Sequence, residues 1–190
     1  SFFPLNFFHC FYAKRKPAFL KVLWHVIDLW NVHAYMAVFG ILRREKPDVV
    51  HTHNVNGLSL SVGAAVKVSK TAWVHTTHDF SFLCPMSNLH CPLHGRCCDF
   101  LLSPCAMYRA AKRFAVDKGP DVIVFPSSAA REIFMRRSFF LDREFRILPY
   151  CTDAAGVAGE KTPPGDAGFN ILYAGQLMPH KGVDVLIEAF

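Results

Sequence analysis

PDVVHTHNVNGLS, residues 47–59, reads as a buried strand that runs out into a polar, glycine-containing turn and then a helix. Pro47 closes the preceding helix, because proline disfavours the α conformation in the residue before it. Val49 and Val50 supply β-branched burial, and His51, Thr52, His53 and Asn54 arrive where a strand of a parallel sheet ends. Open α/β sheets bind ligands just outside the carboxyl ends of their strands. A second segment repeats the plan: Ala72, Trp73 and Val74 lead into His75, Thr76, Thr77, His78 and Asp79. Two strand ends that carry histidine with carboxylate or amide groups mark a candidate site.

Composition bounds the class of protein. A chain of 190 residues is long enough for one well-buried core and short for two full domains. The longest uninterrupted apolar run, residues 34–42, falls well short of the ~20 residues that a membrane helix needs. The opening SFFPLNFF has neither a basic n-region nor a small-residue cleavage site and does not read as a signal peptide. Cytoplasm is therefore the default location. The net charge of +6 suits acidic partners such as nucleotide diphosphates or an anionic lipid surface. Lys14-Arg15-Lys16, Arg43-Arg44 and Arg136-Arg137 are short and scattered, without an RNA motif or helix-turn-helix signature, so nucleic acid is not an expected partner. Both ends fall inside apolar or amphipathic patterns, and the expectation is a piece of something longer.

The rest of the chain alternates. Apolar residues at helical spacing (Phe19, Val22, Leu23, Val26, Ile27, Trp30) predict an amphipathic helix over 18–30. Asn31 is a candidate N-cap for a helix over 32–45, whose basic end suits its negative pole. Strand 48–52 follows, then a helix from about 58 to 69, where Gly57, Gly63 and the alanines allow close packing on a sheet. Strand 71–77, a long connection, helix 104–117, strand 121–125, a helix capped by Ser127 or Ser128 and strand 145–148 complete the set. Residues 149–168 have linker composition. A strand over 169–173, a turn over 175–182 and a helix over 183–190 then begin again. The expected fold class is α/β, with a Rossmann-like, parallel, doubly wound sheet in an incomplete N-terminal domain (1–148). A linker (149–168) and the first βα unit of a second Rossmann-like domain (169–190) follow.

Four segments in this order, KPDVVHTHN with GLS, VHTTHDF with LCP, DVIVFPSS, and GQLMPHKGVDVLIEAF, resemble the retaining glycosyltransferases of family 4, with the GT-B architecture. The resemblance covers nearly the whole chain. It implies two Rossmann-like domains facing a cleft, the first holding an acceptor and the second a nucleotide-sugar. Lys181, Gly175, Gln176 and Gly182 match the donor-diphosphate positions, with Gln176 standing where the family commonly has arginine. An ammonium and free N–H groups at a helix start stabilise phosphate, and glycine lets backbone approach it. An amide in place of a guanidinium accepts no such charge role. His78 matches the histidine that faces the donor sugar, with Asp79 orienting it or binding acceptor hydroxyls. His53, Asn54, Asn56 and Gly57 line the acceptor side, or else serve as turn chemistry and a cap for the next helix. ILPYCTD keeps Asp153 of the family's hinge turn but has Tyr150 and Cys151 in place of Asn-Gly.

The implied function is transfer of a sugar from a nucleotide-sugar, used as substrate, to a hydroxyl on a glycan or lipid-linked saccharide, with retention. No cofactor or metal is expected. Peripheral contact with the inner membrane face is a further expectation, from the basic, aromatic N-terminus. The piece alone is expected to be inactive. Two other classes stay open. His51 and His53 share a strand face, and with His75, His78 and Asp79 they offer the ligand set of a metal-dependent hydrolase. A non-catalytic binding module would instead use the cysteine-bearing loop. Cys84, Cys91, Cys97, Cys98 and Cys105 contain no C-x-x-C pair, although His90 and His94 could complete a zinc set; reduced thiols are the expectation.

Overall fold

The computed structural model of the protein describes residues 17–91, 103–116, 119–151, 171–178 and 181–190. The chain divides into two compact units, Ser1–Pro149 and Tyr150–Phe190. In the first, the elements are α1 (Ala18–Leu29), α2 (Val32–Glu45), β1 (Val49–Thr52), α3 (Ser61–Ser69), β2 (Ala72–Thr76), α4 (Pro104–Val116), β3 (Val122–Phe125), α5 (Ser128–Met135) and β4 (Glu144–Ile147). The four strands form one parallel sheet in the order β1-β2-β3-β4. This is the expected Rossmann-like α/β architecture. Its strand order rises without reversing, so the reversal that makes a sheet doubly wound is not among the described strands.

Right-handed crossovers that all step the same way carry their helices to the same face. The core agrees. Register puts Val50, Trp73, His75, Ile123 and Phe125 on one face. Trp73 packs with Leu42 of α2 and Ala65 and Val66 of α3, while Ile123 and Phe125 pack with Val116 of α4 and Phe134 of α5. The opposite face carries Val49, His51, Val74, Thr76, Val122 and Val124; Thr76 and Val124 are buried, Val49 is exposed. Gly63 shows why α3 can lie so close to the sheet. A Cβ there would fall 2.2 Å from the Trp73 ring, so the helix approaches through a residue that has none.

Local chemistry sets most of the boundaries. Asn31 Oδ1 accepts the Ala34 N–H, and Ser127 Oγ accepts that of Ala130, each satisfying an orphan donor of the first turn. α2 ends at Lys46 in the left-handed conformation (φ 46), since Pro47 bars it from continuing the helix. α3 begins at Ser61, about three residues later than its sequence predicts. The Val55 carbonyl accepts from both Leu58 and Ser59, and Gly57 and Ser59 take positive φ, so a tight turn occupies the start of the apolar pattern.

The apolar stripe on α1 points away from the core. Phe19, Val22, Leu23, Val26 and Trp30 are between 40% and 69% exposed, whereas Trp24 and Asp28 are buried. Spacing identified a stripe but not its direction, and the buried side is fixed by what Asp28 binds.

The second unit contains α6 (Val183–Glu188) among its described residues. Residues 171–173 form no strand there: no described segment pairs with them, and a strand without a ladder has little to hold it. Residues 1–16, 152–170, Cys97, Cys98 and His94 lie outside the described residues. No described helix is long and apolar enough to cross a membrane.

Candidate functional site

The carboxyl ends of β1 and β2 lie side by side because the strands pair in parallel, with Thr52 opposite His75. Beyond them the two polar runs meet residue by residue. His53 Nδ1 and His78 Nε2 are 2.7 Å apart, and Asn54 Nδ2 donates to Asp79 Oδ2 at 2.9 Å. His51, one strand period before His53, bonds the Thr76 hydroxyl at 2.8 Å. The rings of His51 and His53 are 4.3 Å apart, those of His53 and His78 5.0 Å. Three imidazoles therefore line the sheet face opposite the helices, and His53 and His78 are exposed. A hydrogen bond between two ring nitrogens requires one of them to be neutral and accepting. Burial, followed by the neighbouring His53 and His78, lowers the His51 pKa.

Each Asp79 carboxylate oxygen has one partner at short range and room for another. Its Oδ1 accepts the Ser81 N–H at 2.8 Å while Oδ2 holds Asn54, whose own Oδ1 accepts the Asn56 N–H. Gly57 N–H donates to Asp28 Oδ1 at 2.6 Å, and its φ of +84 is the turn geometry that favours glycine. For Gly57 the turn reading is thus the one with a visible cause. Asn56 Oδ1 is buried without a hydrogen-bond partner among the described residues.

Asp28 opens a network that the sequence reading missed. Its Oδ2 pairs with Lys112 Nζ at 2.9 Å, and both side chains are almost wholly buried. Lys112 Nζ lies 5.3 Å from the centre of the Tyr108 ring, and the Tyr108 hydroxyl donates to the Ser81 carbonyl at 2.6 Å. From Ser81 the bonds run to Asp79, Asn54 and Asn56, next to Gly57 and so back to Asp28. Burial, then the Asp28 charge, raises the Tyr108 pKa far above its ordinary value, so the phenol remains a donor. A closed circuit from α1 and α4 thereby holds both polar loops. The available signal was Asp28 itself, the one carboxylate in a mostly apolar helix whose other polar residues are Lys21 and His25.

His75, on the helix-covered face, is structural. Thr52 Oγ1 accepts from Trp73 Nε1 and lies 2.8 Å from His75 Nδ1, and the ring meets Phe82 edge-on. Burial, then His51, His53 and His78, pushes its pKa down from 6.5 to about 3. The unfolded chain binds this proton near 6.5 and the folded chain does so only near 3. Stability is therefore undiminished above 6.5 and falls as pH drops across that window, by up to about 1.4 kcal/mol per pH unit. Denaturant titrations at neutral and mildly acid pH are expected to show this slope, and His75→Gln to flatten it by about that amount. An unchanged slope in the variant would remove His75 as its source.

In the second unit, Gly182 has φ +69 and open space where a Cβ would stand, directly before α6. Lys181 N–H donates to the Met178 carbonyl at 2.8 Å. Gly175 accommodates the Tyr173 hydroxyl, which bonds the Gln176 carbonyl at 3.0 Å; a Cβ at 175 would sit 2.7 Å from that oxygen. The visible reason for Gly175 is this turn. Among the described residues no three His, Cys, Asp or Glu side chains are arranged to hold a metal ion, so the hydrolase reading lacks a ligand set there. Cys84, Cys91, Cys105 and Cys151 are not joined in disulfides.

Fold and site together define a Rossmann-like α/β domain with histidine, amide and carboxylate side chains gathered at the carboxyl ends of its first two strands. The family model of Glycosyltransferase Family 4 matches residues 10–155, more than half of the chain, and the chain belongs to that family. It is also similar to an uncharacterised 42.6 kDa protein in the cps region of Klebsiella pneumoniae, 28% identical over 174 residues. The match takes in 90% of this chain and 44% of the relative, so the chain spans less than half of that relative's length.

Proposed function

We propose that this protein transfers a sugar from a nucleotide-sugar to a hydroxyl acceptor, a glycan or lipid-linked saccharide, with retention of configuration. Membership of the family supports the class of reaction, and the observation that carries the reading is the pairing of His53 with His78 and of Asn54 with Asp79. Groups that already hydrogen-bond each other at strand ends present fixed donors and acceptors to a polyhydroxylated substrate. In this reading His78 bonds the transferred sugar, or charge developing beside it, and His53 sets which of its nitrogens carries the proton. Asp79 and Asn54 take acceptor hydroxyls. Lys181 and the N–H groups around Gly182 take the donor diphosphate, with Gln176 adding a neutral hydrogen bond. As phosphate leaves, its growing charge is met by the ammonium and backbone dipoles, so this chemistry needs no metal.

The test is calorimetric titration with a nucleoside diphosphate, in a chain extended to the length of its Klebsiella relative. Lys181→Ala is expected to weaken binding about tenfold or more, the value of one charge-assisted contact. Affinity within about twofold of the parent would take Lys181 out of the donor site.

A further inference from the structure

We propose that Tyr108 is a positioning residue for the sugar-transfer site: through Ser81 it fixes where the Asp79 carboxylate stands. The inference rests on the sugar-transfer reading and adds to it a residue behind the site. Tyr108 and Lys112 are four residues apart on α4, so they lie on one face of that helix. Each reaches a different polar loop. The Tyr108 hydroxyl donates to the Ser81 carbonyl at 2.6 Å, and the Ser81 N–H donates to Asp79 Oδ1 at 2.8 Å. Lys112 Nζ holds Asp28, which accepts the Gly57 N–H at its side chain and the Leu60 N–H at its carbonyl. The two lines meet where Asn54 Nδ2 donates to Asp79 Oδ2. One helix thus sets the gap between the β1 and β2 loops.

The energetics argue for a role beyond holding the fold. A lysine and an aspartate buried to this degree lose their hydration, and apolar residues of similar volume often serve stability as well or better. What an apolar pair does not supply is direction. Ser81 is buried with both of its peptide groups engaged, the carbonyl by Tyr108 and the N–H by Asp79. The loop beyond it is tied to itself. The Leu83 and Cys84 N–H groups both donate to the Phe80 carbonyl, and the Phe80 N–H donates to that of Ser87. A turn bonded in this way moves as one body, so a hold at Ser81 fixes its placement. Tyr108 is steadied in turn by its ring, which His25 meets edge-on at 5.4 Å and Lys112 Nζ approaches to 5.3 Å. A misplacement of about 1 Å at a reacting group costs up to ~10²-fold in rate. The Tyr108 hydroxyl therefore affects turnover without touching substrate.

The experiment compares Tyr108→Phe with Leu42→Ala in a chain extended to the length of its Klebsiella relative. Nuclear magnetic resonance of selectively labelled asparagine follows the Asn54 side-chain amide, identified by its loss in Asn54→Ala. Turnover is read as nucleoside diphosphate released from a panel of nucleotide-sugars. In the parent, the amide proton bonded to Asp79 is expected downfield of its free position. Tyr108→Phe keeps the ring and removes the hydroxyl. It is expected to move that proton at least halfway to the free position and to cut turnover about tenfold, with nucleoside-diphosphate affinity within about twofold. Leu42→Ala opens a cavity in the core cluster that contains neither Ser81 nor Asp28, and is expected to lower stability with the signal in place. An unmoved signal in Tyr108→Phe, or an equal move in Leu42→Ala, overturns the proposal. So does a moved signal at the parent's turnover. An extended parent that binds no nucleoside diphosphate defeats the sugar-transfer reading itself, a result separate from the amide spectra, and the role of Tyr108 in turnover goes with it.

Discussion

Lys112→Met is expected to lower the stability of the first unit by about 3–5 kcal/mol, the cost of leaving one member of a buried ion pair without the other. The substitution is close in volume and adds no strain of its own, so the loss comes from Asp28. With Lys112 gone, a carboxylate that water does not reach keeps, among the described residues, the Gly57 N–H as the hydrogen-bond partner of its side chain. The Leu60 N–H, bonded to the Asp28 carbonyl at 3.1 Å, adds a backbone tie that the variant does not break. Asp28→Asn in the same background removes the stranded charge and retains an oxygen for Gly57. The double variant should recover more than half of the loss, and denaturant titration with an unchanged m-value reads both effects. A single-variant cost under about 1 kcal/mol would mean that the pair is solvated in solution. Simple additivity would mean that the two groups act separately.

This pair also shows which parts of the protein were legible from sequence. Features decided within a few residues were. Asn31 and Ser127 cap helices because a short polar side chain meets an open N–H three residues on. His51 and His53 share a sheet face because side chains alternate along a strand. Gly63 sits in a helix where only glycine fits under Trp73. Features decided by distant partners were not. Asp28 and Lys112 lie 84 residues apart, and no local pattern marks their meeting. That meeting turns α1 over, so a stripe with the periodicity of a core face is the exposed one. The delayed start of α3 has the same origin at shorter range: Asp28 holds Gly57 and Leu60, and the turn they frame displaces the first turn of the helix. For the site, the residue types and strand ends were readable from the two matching HT-containing runs. Which residue bonds which followed only from the β1–β2 register.

His78→Ala, in a chain extended to the length of its Klebsiella relative, is expected to cut turnover by about 10²-fold or more while leaving nucleoside-diphosphate affinity within about twofold. The separation is physical. The groups proposed for the diphosphate, Lys181 and Gly182, belong to the second unit, whereas His78 stands on the first and is exposed. An exposed imidazole supports little of the fold, so lost activity with an unchanged unfolding midpoint cannot be blamed on unfolding. His53→Ala distinguishes contact from positioning. It removes the 2.7 Å partner of the His78 ring while leaving the ring itself in place, and should cost less turnover. Equal losses in both variants would assign the work to the pair as a unit. If His78→Ala turns over at the parent's rate, the imidazole has no part in the chemistry, and the strand-end histidines serve only to tie β1 to β2.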